Sequence, residues 1–265
     1  MLSTVANLLK RRPDGRRIAA GIPDGERVYA IGDVHGRKDL LDVLLARIAD
    51  DARGYSGKVT LLGIGDYIDR GPDSKGVVDT LLNTPLPAGW SRVFLRGNHE
   101  QAMLDFMATA HLTEKKGARC EWLAWGGIQA LESYGVSPFG ARGVRDVGTL
   151  AEEFKLALQE AGHDAFYVST RLSHVCGRYL FVHAGVRRGI ALANQMPEDL
   201  LFIREDFLGK PHDLPYRVVF GHTILDSPQL EDDRIGIDTG AFQSGVLTAV
   251  RLEGVDASFL QARIT

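Results

Sequence analysis

Val59-Thr60-Leu61-Leu62-Gly63-Ile64-Gly65-Asp66-Tyr67-Ile68-Asp69-Arg70-Gly71 opens as an apolar run and ends in a cluster of charge. The first half reads as a buried strand. The second half sets two carboxylates and a guanidinium between two glycines. Burying such groups is costly unless a cation pairs with the acids. Arg70 can pair with one acid, and a metal ion would pair better with the other. The same shape recurs at Gly32-Asp33-Val34-His35-Gly36, Gly97-Asn98-His99-Glu100, His183-Ala184-Gly185 and Gly221-His222-Thr223. Strand ends that carry metal-type ligands so often imply one site assembled from most of the chain.

Around that site the composition is ordinary. With 265 residues the chain can bury a sizeable core as one large or two small domains. Hydrophobic residues at 45% and charged residues at 25% fit a soluble globular protein. A net charge of -3 supplies no general attraction for nucleic acid or an anionic membrane. Only two cysteines, Cys120 and Cys176, are present, which excludes a disulfide framework or a cysteine zinc site and fits the cytoplasm. No apolar run approaches a membrane span, so stable membrane insertion is not expected. Near the N-terminus, Lys10, Arg11, Arg12, Arg16 and Arg17 follow a short apolar stretch, the reverse of a secretory signal. Residues 1–26 therefore read as a flexible basic tail.

Residues 27–265 read as one domain. Strands are expected at Arg27–Ile31, Val59–Ile64 and Arg92–Leu95, with helices over Lys38–Asp50, Asp73–Leu82 and from Glu100 onward. That alternation argues for an α/β layered architecture. From about 111 to 173 the pattern turns mostly helical, and reads as an insertion packed over the site. Strands resume at Tyr179–Val182 and Arg217–Phe220. Three more segments, Arg234–Ile237, Gly245–Leu252 and Ala257–Arg263, read as antiparallel completion of a sheet.

The chemistry follows from ligand types. Asp33 and His35 stand two apart, so an extended strand end puts both side chains on one side. Asp66 has two oxygens and can bridge two cations. Asn98 offers a carbonyl oxygen, and His183 and His222 offer imidazole nitrogens. Mixed oxygen and nitrogen ligation without thiolate suits manganese, iron or zinc. The ligands are too many for one tetrahedral ion, so two metals roughly 3.5–4 Å apart, clamping a phosphoryl group, are expected. His99 would then protonate the leaving oxygen, with Asp69 holding its tautomer. Arg70 would grip phosphate bidentately. A water between the metals would be the nucleophile.

These motifs, in this order, resemble the signature of the PPP-type serine/threonine protein phosphatases of the calcineurin-like superfamily. The likeness is nearest to bacterial and phage-lambda-type members and runs from about Tyr29 to about Leu252. It implies a four-layer αββα sandwich of mixed sheets flanked by helices. It implies one metal on Asp33, His35 and Asp66, and a second on Asp66, Asn98, His183 and His222, usually manganese. It gives His99 as general acid with Asp69 as its partner. Phosphate would be held by Arg70, by Asn98 and by Arg204, within Leu201-Phe202-Ile203-Arg204-Glu205-Asp206-Phe207-Leu208. Arg96, beside the Asn98 motif, is a further phosphate candidate against a structural reading. Gly236-Ile237-Asp238-Thr239-Gly240-Ala241 and Trp125-Gly126-Gly127 resemble the bacterial members, and no counterpart of the eukaryotic active-site tyrosine is seen.

The function expected is dephosphorylation of phosphoserine and phosphothreonine proteins by a cytoplasmic monomer. Hydrolysis of dinucleoside tetraphosphates is the alternative, since similar proteins include such enzymes. A non-enzymatic scaffold for phosphorylated partners is the third reading. Gly63-x-Gly65 lacks the third glycine of a dinucleotide fingerprint. His111, His163, His174 and His212 read as ordinary histidines. Asp73, Asp238 and Glu100 read as turn or helix-start residues, and the tryptophans Trp90, Trp122 and Trp125 as core.

Overall fold

The computed structural model describes residues 21–109, 121–141 and 143–264. Strands β1 (Glu26–Ile31), β2 (Lys58–Gly63) and β3 (Trp90–Phe94) run parallel, joined by helices α1 (Lys38–Asp51) and α2 (Ser74–Asn83). Helix α3 (Asn98–Thr109) follows β3. The insertion holds a helical turn at Leu123–Gly127 that kinks at Gly126, α4 (Ile128–Ser133), a hairpin of β4 (Phe139–Gly140) and β5 (Gly143–Val144), α5 (Val147–Glu160) and α6 (Asp164–Ser169). Then come β6 (Ser173–Cys176), β7 (Tyr179–Val182), α7 (Pro197–Phe202), α8 (Glu205–Leu208) and β8 (Arg217–Phe220). The chain ends with β9 (Gln229–Leu230), β10 (Arg234–Gly236), α9 (Ala241–Ser244), β11 (Val246–Glu253) and β12 (Asp256–Arg263).

Two mixed sheets result, ordered β12-β11-β1-β2-β3 and β6-β7-β8-β10-β9. Alternation along each strand sorts side chains between layers. Val28 and Ala30 of β1, Leu62 of β2, Tyr179 and Phe181 of β7 and Val219 of β8 form the core between the sheets. Tyr29, Ile31, Val59 and Leu61 point the other way, onto α1, α2 and α3. Leu180, Val182, Val218 and Phe220 face Leu200, Ile203 and Phe207 of the α7–α8 segment. This is the layered arrangement that the alternation and the resemblance implied.

The differences are local. Of the three C-terminal segments expected to be antiparallel, β11 and β12 are. β10 is parallel to β8, because β9 turns the chain back between them and pairs antiparallel with β10. Among its described residues, the insertion carries the small hairpin as well as helices α4, α5 and α6. Its Trp122, Leu131, Phe154 and Phe166 join the same cluster as Leu40, Val78 and Met103. His111 and Cys120 lie outside the described residues. So does the basic cluster of residues 10–17, whereas residues 21–26, expected to belong to the tail, are described and lie in the fold. Ile22 is buried in the inter-sheet core, and its N–H donates to Gly254 O at 2.8 Å. Among the described residues, no helix is long and apolar enough to cross a membrane.

Candidate active site

The ligand-type residues arrive on the C-terminal ends of parallel strands from both sheets. β1 delivers Asp33 and His35, β2 delivers Asp66, Asp69 and Arg70, and β3 leads into Asn98 and His99 at the start of α3. β7 delivers His183, and β8 delivers His222. All of them except Arg70 are buried.

The backbone is bent to place them. Among the described residues, five non-glycine residues have positive φ: His35 at 45°, Asp66 at 52°, Asp69 at 72°, Arg70 at 65° and His222 at 63°. Each such conformation costs roughly 1–3 kcal/mol and persists only where its surroundings enforce it. All five belong to the strand-end motifs. Two glycines leave room for carboxylates, since a Cβ at Gly97 would overlap Asp66 Oδ1 and one at Gly221 would overlap Asp33 Oδ1. Glu100 does more than start α3. Its fully buried carboxylate accepts the N–H groups of Asp66, Tyr67 and Gly97, each at 2.8 Å. It therefore ties two motifs together, a role the sequence reading missed; the signal was an acid flanking the Asn98-His99 pair.

Asp66 is the centre. Its Oδ1 accepts the His99 N–H at 3.1 Å and lies 3.4 Å from His183 Nε2, while its Oδ2 lies 3.5 Å from His35 Nε2. Asn98 Oδ1 is 2.9 Å from His183 Nε2 and 2.8 Å from His222 Nδ1. Asp33 Oδ2 accepts the His222 N–H at 3.0 Å. Burial pushes the Asp66 carboxyl up, but four surrounding imidazoles outweigh it and hold the group well below the carboxylate range. Burial, then Asp238 and Asp66, push Asp33 well above that range. Burial also lowers His35 and His222 to about 3, and lowers His183. These imidazoles are thus neutral at physiological pH, the form that binds metal.

Two overlapping groups sharing Asp66 bring ligand atoms within 4.8 Å of one another: His35 with Asp66 and His99, and Asp66 with His183 and His222. Asp33 Oδ1 and His222 Nε2 are buried without a hydrogen-bond partner. Orphaned acceptors beside an acid cluster are what a cation would satisfy. The residues present fit a pair of divalent metal ions.

Beside this cradle, His99 Nδ1 donates to Asp69 Oδ2 at 2.6 Å, and the Trp122 indole donates to the same oxygen at 2.9 Å. Arg70 Nη2 lies 3.0 Å from His99 Nε2. A guanidinium only donates, so Nε2 accepts and Nδ1 carries the proton. Burial pulls His99 down, but Asp66 and Asp69 outweigh it and raise it above the usual histidine range. Burial raises Asp69 to about 6. Arg70 stacks over Phe242, 4.6 Å from the ring centroid.

A cleft of about 260 Å³ opens over the cradle, lined by Asp66, Arg70, Asn98, Arg204, His222 and Thr223. Arg204 is exposed there and reaches Thr223 Oγ1 at 3.5 Å. Arg96 does not line it. Its guanidinium donates to Thr170 Oγ1, Gln101 Oε1 and Tyr167 O, at 3.0, 2.9 and 3.3 Å, so its phosphate role gives way to a structural one. Asp73 is the helix cap expected, accepting from Gly76 N–H at 2.7 Å. Asp238 accepts the Gly240 N–H in its turn, yet it is buried beside Asp33.

Strand-end carboxylates and imidazoles on an αββα sandwich define a metal-dependent phosphoesterase. The calcineurin-like phosphoesterase family model matches residues 26–244, and the chain belongs to that family. Serine/threonine-protein phosphatase 2 of Escherichia coli (strain K12) is 26% identical over 85% of this chain and 93% of its own length. The asymmetrical bis(5'-nucleosyl)-tetraphosphatase PrpE of Anoxybacillus flavithermus is 25% identical over 83% of this chain and 88% of its own. Among solved structures, a protein serine/threonine phosphatase from Saccharomyces cerevisiae superposes with a TM-score of 0.52 at 14% identity. That match covers 91% of this chain and 81% of the other, and it shows the fold.

Proposed function

We propose that this protein dephosphorylates phosphoserine and phosphothreonine in proteins, as a cytoplasmic monomer with two divalent metals, manganese in the first instance. Asp33, His35 and Asp66 would hold one ion, and Asp66, Asn98, His183 and His222 the other. When bound, the metals supply charge to the phosphoryl oxygens and activate the attacking water. Arg70 and Arg204, both on the cleft, grip the remaining phosphate oxygens. When Arg70 turns to phosphate it leaves His99 Nε2, which is then free to carry a proton. As the water oxygen bonds to phosphorus, the ester P–O bond breaks, and the Nε2 proton passes to the leaving oxygen. The products are the free hydroxyl side chain and inorganic phosphate.

The observation that carries this reading is the buried His99–Asp69 pair at 2.6 Å beside the metal cradle. A serine or threonine alkoxide is a poor leaving group and needs a proton. A phosphate leaving from an anhydride needs one far less. The nucleotide reading is favoured by the PrpE relative and by the half-exposed Trp125, whose ring lies 5.9 Å from His99. Turnover of a phosphothreonine peptide and of diadenosine tetraphosphate should be compared on the manganese-loaded enzyme. We expect the peptide to give the higher kcat/KM, and the opposite order would sink the protein-phosphatase reading.

A further inference from the structure

We infer that Trp122 is a positioning residue for the His99–Asp69 pair, making the start of the insertion part of the proton-transfer apparatus. The inference rests on the reading of His99 as general acid, and it concerns a residue outside the strand-end motifs.

The indole is fixed before it makes its hydrogen bond. Trp122 is buried, with the Phe106 and Phe154 rings at centroid distances of 4.8 and 5.5 Å. Its one donor, Nε1–H, is spent on Asp69 Oδ2, the oxygen that also receives His99 Nδ1. Asp69 Oδ1 is buried without a hydrogen-bond partner. Trp122 is therefore what keeps this carboxylate from rotating about its own axis, and its direction sets where His99 Nε2 points. The kinked turn that follows Trp122 is fitted to the same place. Gly126 O accepts the Arg70 N–H at 3.2 Å, and Gly126 itself, at φ +117°, leaves no space for a Cβ against Arg70. The strained backbone of Asp69 and Arg70 is thus clasped from the insertion side. On the other side Ser74 Oγ accepts the Asp69 N–H at 3.0 Å.

The test is the substitution Trp122→Phe, which keeps an aromatic ring and removes the donor. Manganese-loaded protein is assayed on a phosphoserine peptide and on 2,4-dinitrophenyl phosphate, whose leaving group needs no proton. We expect kcat on the peptide to fall roughly ten- to a hundredfold, as for other groups that orient a reacting histidine. The loss on dinitrophenyl phosphate should be several-fold smaller, with KM and bound manganese unchanged. Replacing Trp122 by benzothienylalanine, which fills the indole's volume with sulfur in place of N–H, should reproduce the pattern and separates the lost donor from a packing defect. Equal losses on both substrates, or full activity in both variants, would overturn the inference. His99→Asn is the control. If it too loses equally on both substrates, the general-acid reading fails. If it discriminates and the Trp122 variants do not, the inference alone fails.

Discussion

At the scale of single residues, Glu100 shows how a site is held by groups that never touch substrate. Its two oxygens face only backbone N–H groups: Oε1 takes Tyr67, and Oε2 takes Asp66 and Gly97. Glu100→Gln would turn an NH2 donor toward one of these donor sets. The change is nearly isosteric, yet it should destabilise the fold by roughly 2–4 kcal/mol, because buried N–H groups lose their acceptors. Urea denaturation of the metal-free protein measures that loss, and an unchanged midpoint would show that the carboxylate is dispensable. The candidate ligands stand out in sequence because each sits where an apolar strand meets glycine. Glu100 and Trp122 do not, since an acid in a first helical turn and an aromatic in a helical stretch each have a commoner structural role. Arg96 misled for a related reason. Adjacency along the chain placed it near Asn98, but the side chain points at Thr170 and Gln101.

At the scale of elements, the insertion is joined to α2 by a polar tie as well as by its apolar face. Tyr134 Oη lies 2.8 Å from His163 Nδ1 and 3.1 Å from Tyr167 Oη, and His163 Nε2 lies 3.1 Å from Asp79 Oδ1. Burial pushes His163 below the usual histidine range, against the opposing pull of Asp79, with Lys75 adding to the lowering. The folded protein therefore holds this ring neutral, while the unfolded chain takes up a proton below about pH 6.5. The stability from His163 is complete above that pH and declines as the pH falls toward the lower folded value. His163→Gln should make the fall in unfolding free energy between roughly pH 7 and 5 shallower in the metal-free protein. Identical slopes would show that the ring does not titrate this way. Long strands and helices were legible from period and breakers. Segments as short as β9, α8 and α9 were not, because two to four residues cannot display a period. The parallel course of β10 depends on β9 reversing the chain, a long-range pairing that no local pattern encodes.

At the scale of the whole molecule, the cradle spans both sheets. Asp33, His35, Asp66 and Asn98 come from one, and His183 and His222 from the other, with Asp66 in contact distance of histidines on each side. Metal binding should accordingly stabilise the sandwich as a unit. Manganese at a hundred times its Kd should add about 2.7 kcal/mol per site to the unfolding free energy. Thermal melts with manganese and with a chelator check this, and an unshifted Tm would show that the cradle does not hold the ion. The order of the motifs suggested a single site but not which sheet carried each histidine.

The same spread of ligands fixes a sequence of events in the life of the chain. The proposed ligands of the second ion, Asp66 and Asn98 from one sheet and His183 and His222 from the other, cannot meet until both sheets have formed and docked. That ion lacks its full ligand set until the sheets have docked, so it cannot act as a template for their docking. Manganese at that second position should leave the refolding rate unchanged and act by slowing unfolding. Stopped-flow refolding with and without the ion reads both rates. The chain should thus reach its native form with that half of the cradle empty and fill it as a finished vessel.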